Sequence, residues 1–530
     1  MIRKYLFITF LILFIGNTSF SQELTKFKKK SYFTEAYRLI DLGNYAEATK
    51  YLIPLFKSDK TNSNTAYLLG LCYFKKNRYP MAVKLFKIAA QHVSKEYKSH
   101  RFNETRAPII ALNYLAKSYH RNYQFENAKK YYTRYMNIAD TSQRRFIEQD
   151  IASTEYAQKA IADSTQITIT NLGPDINSKY NDYAPAISAD ESTLIFTSRR
   201  KGNIGERTDG GDYYEDLYIS HRVNGEWMPA KNMGVPINTP QHEASISLSP
   251  DGKTLFIYKD DDGEGNIYES FLVDSQWTKP KKLGSDINSP YDETHAGITA
   301  DGSRLYFVSN RPGGLGGKDI YYCSLLPNGT WSKAQNIGAP INTPFDEDGI
   351  TIHPDGTTLY FSSKGHQTLG GYDLFYSNMD DEGHWKEPKN MGYPINTPDE
   401  EQFFVITPNN KRGYFSSDRK GTIGNRDIFL MDFLSLPERN ATVVKGQITG
   451  PNGIEKGLSL KVTTLDGTLV GQYNSTSKGN YTLILRQDRS YLLTIEKDGK
   501  EQTQKITIPP RTSFFLTERF YKLSPLMIVK

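Results

Sequence analysis

Trp331-Ser-Lys-Ala-Gln-Asn-Ile-Gly-Ala-Pro-Ile-Asn342-Thr-Pro-Phe-Asp-Glu347 recurs 54 residues later as Trp385-Lys-Glu-Pro-Lys-Asn-Met-Gly-Tyr-Pro-Ile-Asn396-Thr-Pro-Asp-Glu-Glu401. The same module begins at Trp227 and Trp277, and a copy without its Trp starts near Ile167 and carries Ile176-Asn177. Thirteen residues after each Asn comes a turn: Ala189-Asp190, Pro250-Asp251, Ala300-Asp301, Pro354-Asp355 and Pro408-Asn409. An apolar run follows (Leu194-Ile-Phe, Leu255-Phe-Ile, Leu305-Tyr-Phe, Leu359-Tyr-Phe, Gly413-Tyr-Phe). A Gly-rich loop then leads to Asp216-Leu-Tyr, Asn266-Ile-Tyr, Asp319-Ile-Tyr, Asp373-Leu-Phe or Asp427-Ile-Phe. Short strands bounded by turn residues at a period of 50–61 describe blades of four strands each.

The ends of the repeat predict how it closes. After Glu401 the last copy has three strands and no Trp strand behind them. The orphan Ile167-Thr-Ile-Thr-Asn-Leu at the start supplies the missing fourth, and pairing first with last removes the free edges. Five blades are expected over 166–435. The block resembles the Pro-Asp-type propeller repeats of TolB-like and other WD40-like bacterial proteins.

Upstream the apolar spacing is helical. Three segments share one pattern, an aromatic three residues before a small Ala: Tyr45/Ala48, Tyr79/Ala82 and Phe125/Ala128. Ala48 and Ala82 are 34 residues apart, whereas Ala82 and Ala128 are 46 apart, so about 12 extra residues lie around 92–104. These motifs resemble tetratricopeptide repeats, which implies a concave helical face for partners. Tyr37, Tyr67, Leu71, Tyr114 and Lys117 are the residues expected there. Downstream, alternating apolar positions in 443–448, 458–462, 479–485 and 491–495, with Asp466-Gly467 and Asp498-Gly499 as turns, read as a small sandwich. It looks like a carboxypeptidase-regulatory-like domain.

The expected fold class is multidomain α plus all-β. A signal peptide (1–21) precedes a helical tetratricopeptide array (22–165), a five-bladed β-propeller (166–435) and a small β-sandwich (436–530). The leader is read from Arg3-Lys4, an apolar stretch over 5–15 and Ser19-Phe20-Ser21. Eleven apolar residues are too few to span a bilayer. An exported, periplasmic chain starting at Gln22, with peripheral outer-membrane association, is the expectation.

Composition narrows the chemistry. A net charge of +6 from 65 basic and 59 acidic residues argues against a nucleic-acid partner. Two cysteines, Cys72 and Cys323, provide no disulfide framework and read as small buried hydrophobes. The nine histidines include no His-Glu-x-x-His, and no Gly-x-Ser-x-Gly elbow is present. No enzymatic activity and no cofactor are expected.

Three polar patterns remain. Eight residues before each turn stands a carboxylate, Asp182, Glu243, Glu293, Glu347 and Glu401. An acidic ring near one mouth of the channel is expected, serving either a cationic peptide segment or metal ion, or a structural role in which each carboxylate accepts from the adjacent blade's backbone or pairs with a nearby cation. Basic and acidic residues flank the loop between the second and third strands: Arg199/Asp216, Arg311/Asp319, Lys364/Asp373 and Arg419/Asp427. Surface ion pairs are expected for them. In the second blade Asp260, Asp261, Asp262 and Glu264 are either a calcium site or a solvated acidic turn.

The order of leader, helical repeats, propeller and regulatory-like domain resembles a Bacteroidetes envelope family, the OmpA-family proteins linked to type IX secretion and gliding. The resemblance implies a scaffold whose partners are envelope or secretion-system proteins. A ligand-sensing or carbohydrate-binding propeller is the other reading. Members of that family normally end in a peptidoglycan-binding OmpA-like domain. None follows Leu523-Ser-Pro-Leu-Met-Ile-Val-Lys530, so direct peptidoglycan binding is not expected.

Overall fold

The computed structural model describes residues 24–433, apart from 165–166, 250, 251, 262, 301, 327, 355 and 381, most of 441–509, and the short strands 517–518 and 521–522. The leader read in residues 1–21 lies outside the described residues.

Five sheets make the propeller. In the first four blades an inner strand (Asp182–Ile187, Glu243–Leu248, Glu293–Ile298 and Glu347–Ile352) pairs antiparallel with a second, that with a third, and the third with short outer strands. In the fifth, Glu401–Ile406, Arg412–Ser417 and Asp427–Asp432 are completed by Thr168–Asn171 from the start of the repeat. Phe429 lies opposite Asn171 and Asp432 opposite Thr168. Each inner strand lies against the next, and the fifth lies against the first.

The apolar runs become the packing between blades. Phe196, Phe307, Phe361 and Phe415 occupy equivalent buried places on the second strands. Every inner strand carries a register shift just behind its carboxylate, or at its pairing with the second strand. The extra residue turns the chain at the channel wall. Ala184, Gly349 and Phe403 there have φ of 52°, 61° and 57°. At Gly349 only glycine fits, since a Cβ would stand 2.9 Å from the Phe403 amide nitrogen.

The amino-terminal part corrects the expected fold class. The described chain is mostly β, with seven short helices clustered before the propeller, and no helical tetratricopeptide array is evident. The helices are α1 (Lys26–Asp41), α2 (Tyr45–Ser58), α3 (Ser63–Phe74), α4 (Tyr79–Ala89), α5 (Ala111–Arg121), α6 (Phe125–Met136) and α7 (Arg144–Ala162). Thr25, Asn44 and Asn62 cap α1, α2 and α3 by accepting from the amides of Lys28, Glu47 and Thr65. Ala48, Ala82 and Ala128 are fully buried where helices meet.

The insert between α4 and α5 explains the departure from an open array. It folds back over the first helices, where the Tyr97 hydroxyl bonds Tyr37 and donates to Asn64 Oδ1 at 2.9 Å. Asn64 in turn donates its amide hydrogens to the carbonyls of Glu104 (3.1 Å) and Thr105 (3.0 Å). A face filled by its own chain is not an open wall for partners.

After the propeller, Ala441–Gly450 pairs with Asn480–Arg486, and Ser459–Thr464, Leu469–Asn474, Arg489–Lys497 and Lys500–Ile508 make a second sheet. Val444, Ile448, Leu460, Leu483, Leu493 and Ile506 fill the space between the two. Lys253 and Asp190, in turns joining inner and second strands, contact this unit through Asn474 and Lys445.

Candidate functional site: the buried ring and the helix–propeller junction

The five repeated carboxylates sit at the first residue of each inner strand, and all are fully buried. Their side chains face the fold and not solvent, the arrangement of the structural alternative and not of a binding ring. Each accepts from the residue four positions earlier. Glu293 takes the Ser289 amide and hydroxyl, both at 2.7 Å, and Glu401 takes those of Thr397, both at 2.8 Å. Ser178, Thr239 and Thr343 serve Asp182, Glu243 and Glu347 in the same way. A cation on the second strand (Lys259) or two residues beyond its end completes four of the five sites: Arg200 for Asp182 (2.6 Å), Lys259 for Glu243 (2.9 Å), Arg311 for Glu293 (2.9 Å) and Arg419 for Glu401 (3.1 Å). A buried charge needs such a partner and satisfied lone pairs to be tolerated.

Blade four lacks the cation. Gly365 stands at the position of Arg311 and Arg419, and a Cβ there would meet Thr343 Oγ1 at 1.8 Å. Lys364 turns instead to Asp346 (2.9 Å), and His366 takes over the contact with the Ile341 carbonyl. Burial pushes Glu347 up to about 8, with Asp319 adding a smaller upward push. Its folded value exceeds the unfolded one, so the native state holds a proton that the unfolded chain releases. The stabilisation is complete below the ordinary carboxylate range and is lost as pH rises through about 8. Glu347→Gln should keep that stability at alkaline pH. Denaturant midpoints measured from pH 6 to 9 should fall for the wild type and fall less steeply for the variant, which keeps the contribution of Asp399 in that range.

The expected basic and acidic surface pairs are also corrected. Arg311 and Arg419 reach back to the ring, and Arg199 pairs with Glu215. Asp373 is buried and accepts from the amides of Leu369 (2.6 Å) and Gly370 (3.2 Å) and from Asn390 Nδ2 (2.8 Å). Asp216, Asp319 and Asp427 do the same with their own loops and with Asn232, Asn336 and Asn171.

The second Asn of the repeat has a role that the sequence reading missed. Asn342 Oδ1 accepts from the Ile320 amide and its Nδ2 donates to the Ile320 carbonyl, both at 2.9 Å. The same Nδ2 donates to Asn336 Oδ1, six residues earlier. Asn177, Asn238, Asn288 and Asn396 clamp the third strands at Ile428, Leu217, Ile267 and Leu374. The six-residue spacing of the two asparagines was the available signal.

Other expected sites are placed as follows. Asp260, Asp261 and Glu264 form a tight hairpin, with Asp261 taken up by Lys282 (3.1 Å) and the Tyr268 hydroxyl (2.6 Å). Asp262 lies outside the described residues. Among the described residues no group of three or more His, Cys, Asp or Glu is arranged to hold a metal. Tyr37 is buried, and Tyr67 and Tyr114 are half-buried against Phe86. Lys117 pairs with Asp150 at 3.3 Å. These four do not form the open face expected of them, because the insert and the neighbouring helices occupy it.

A junction without any local sequence signal joins the helices to blades four and five. Arg121, at the end of α5, faces Asp399 (3.4 Å), Glu400 and Asp418 (3.6 Å), and lies over the Tyr79 ring. Asn77 donates to Asp418 at 3.3 Å. His120 Nε2 donates to the Leu369 carbonyl at 2.6 Å, and burial holds this ring down, at about 4. From α7, Gln149 donates to the carbonyls of Lys364 and His366, both at 3.0 Å. Burial raises Asp399. Burial also pushes Glu400 up, but Arg121, the Tyr372 amide, Arg426 and Lys364 together outweigh it and hold this carboxyl below its usual range.

No family model and no curated protein matches the sequence. Similar solved structures include TolB from Acinetobacter baumannii, at 17% identity and a TM-score of 0.33, covering 50% of this chain and 57% of that one. A putative TolB from Agrobacterium tumefaciens shows 13% identity and a TM-score of 0.31, covering 61% of this chain and 99% of that one. A thermostable family-43 glycoside hydrolase gives 13% identity and a TM-score of 0.31, covering 64% and 97%. The chain thus spans little more than half of the A. baumannii protein. Likeness at these values does not separate a binding protein from an enzyme. Among the described residues no helix is long and apolar enough to cross a membrane.

Proposed function

We propose that this protein is a non-catalytic binding scaffold of the cell envelope, acting in the periplasm with peripheral association to the outer membrane. The observation that carries this reading is the Arg121 junction, which joins the helical cluster to the propeller through buried charges. Such a junction presents two kinds of surface together, as recruitment of several partners requires. The consumption of all five repeated carboxylates in hydrogen bonds within the fold also favours binding by surface over chemistry in the channel. Export rests on the leader read in the sequence, and a link to type IX secretion or gliding rests on the sequence resemblance alone.

A second reading, capture of a small ligand or glycan in the propeller channel, has one observation in its favour. His295 is 3% exposed, stacks on Phe403 at 5.5 Å, and its Nδ1 has no hydrogen-bond partner among the described residues. Affinity recovery from envelope fractions, run beside a glycan array, tests the two. Co-purified envelope proteins with an empty array are the expected result; glycan binding alone would favour the channel.

A further inference from the structure

Between the start of α1 and the insert lies a groove of about 820 Å³, within the range of sites that enclose a ligand. Lys26, Lys30, Lys98 and Arg101 line it, together with Phe27 and Phe102. Its one carboxylate, Glu104, is buried and already used. It accepts from the Lys98 amide (3.2 Å), the Arg106 amide (3.0 Å) and the Arg106 guanidinium (2.9 and 3.0 Å). The four remaining cations have no carboxylate partner among the described residues. The floor is held in place, since Asn64 on α3 bonds the carbonyls of Glu104 and Thr105.

Two features define what fits. Four uncompensated positive charges facing one recess call for an anionic occupant. Phe27 is 84% exposed, and Phe102 beside it packs edge-on to Phe33 at 5.8 Å, so an apolar side chain of the occupant would find a ring to cover. A concave recess admits the side chains of an extended segment, whereas a planar bilayer meets only its rim. We propose that this groove docks an acidic peptide segment bearing an aromatic residue. The inference deepens the scaffold reading by giving its partner a chemistry.

The test uses the purified full chain and a fluorescein-labelled short peptide of Asp and Glu with one central Phe, followed by fluorescence anisotropy. Binding should weaken at high salt and vanish for the same peptide with Asn and Gln in place of the acids. Lys30→Glu with Arg101→Glu should weaken it on the order of a hundredfold. Both positions are exposed and without ionic partners among the described residues, so thermal melting should be unchanged. Undiminished binding by the double variant, or no binding by the wild type, overturns the proposal. Sedimentation with phosphatidylglycerol and phosphatidylethanolamine vesicles in place of peptide binding would assign the patch to lipid and overturn it too. The peptide is defined, so a failed envelope recovery with intact peptide binding counts against the scaffold reading alone.

Discussion

Arg121→Ala should destabilise the association of helices and propeller by about 3–5 kcal/mol, the usual effect of removing one side of a buried ion pair. The variant leaves Asp399, Glu400 and Asp418 together without the guanidinium that faces them. Burial already raises Asp399, and without the guanidinium nothing in that pocket offsets the burial of Glu400 as strongly. In the wild type, Glu400 held below its usual value contributes stability above the ordinary carboxylate range, and loses it on acidification. The variant should lose that contribution at neutral pH. Urea unfolding should then show the helical cluster melting before the propeller, and limited proteolysis should release the two parts. Arg121→Lys should rescue only partly, because an ammonium cannot face three carboxylates with the fork of a guanidinium. A single unchanged transition in Arg121→Ala would remove the junction from the account.

Deleting residues 167–172 should unfold the propeller, whereas deleting 22–160 should leave it folded. The short strand Thr168–Asn171 closes the ring on Asp427–Asp432, and its loss exposes that edge. Two further contacts go with it or are displaced: Asn171 to Asp427 at 2.7 Å and the Asn177 clamp on Ile428 at 2.8 Å. Removing the helices has a milder consequence, because Asp399, Glu400 and Asp418 then face water and regain their hydration. Tryptophan fluorescence and circular dichroism on the two deletions decide it. A cooperative propeller without 167–172 would refute the closure.

The blades were legible because their information is local and repeated. The Trp331–Glu347 motif carries a strand, a turn and the start of the next blade within one short window, and the last copy, three strands from Glu401 with no Trp strand behind them, points to its partner near Ile167. Partner choice was not legible. Spacing along the chain suggested that Arg311 faces Asp319, but the hairpin register sets Ser309 opposite Glu293 and carries Arg311 back to the ring. The exposure of Tyr37 was misjudged for a related reason. An insert of irregular sequence gives no periodic signal, yet its Tyr97 fills the face that repeats alone would leave open. Arg121 was invisible altogether, since its carboxylates lie more than 270 residues away along the chain.

In the proposed scaffold the repeated polar residues build the blades while partners are met on the outer surface. Envelope recovery on the purified chain, compared between wild type and Glu293→Gln, tests it most directly. Glu293 accepts from Ser289, Ser309 and Arg311 and is fully buried, so the substitution should lower the thermal midpoint. Below that midpoint it should bring down the same envelope proteins as the wild type. Loss of those proteins with an unchanged midpoint would make the ring a binding site and rule out a purely structural role for it.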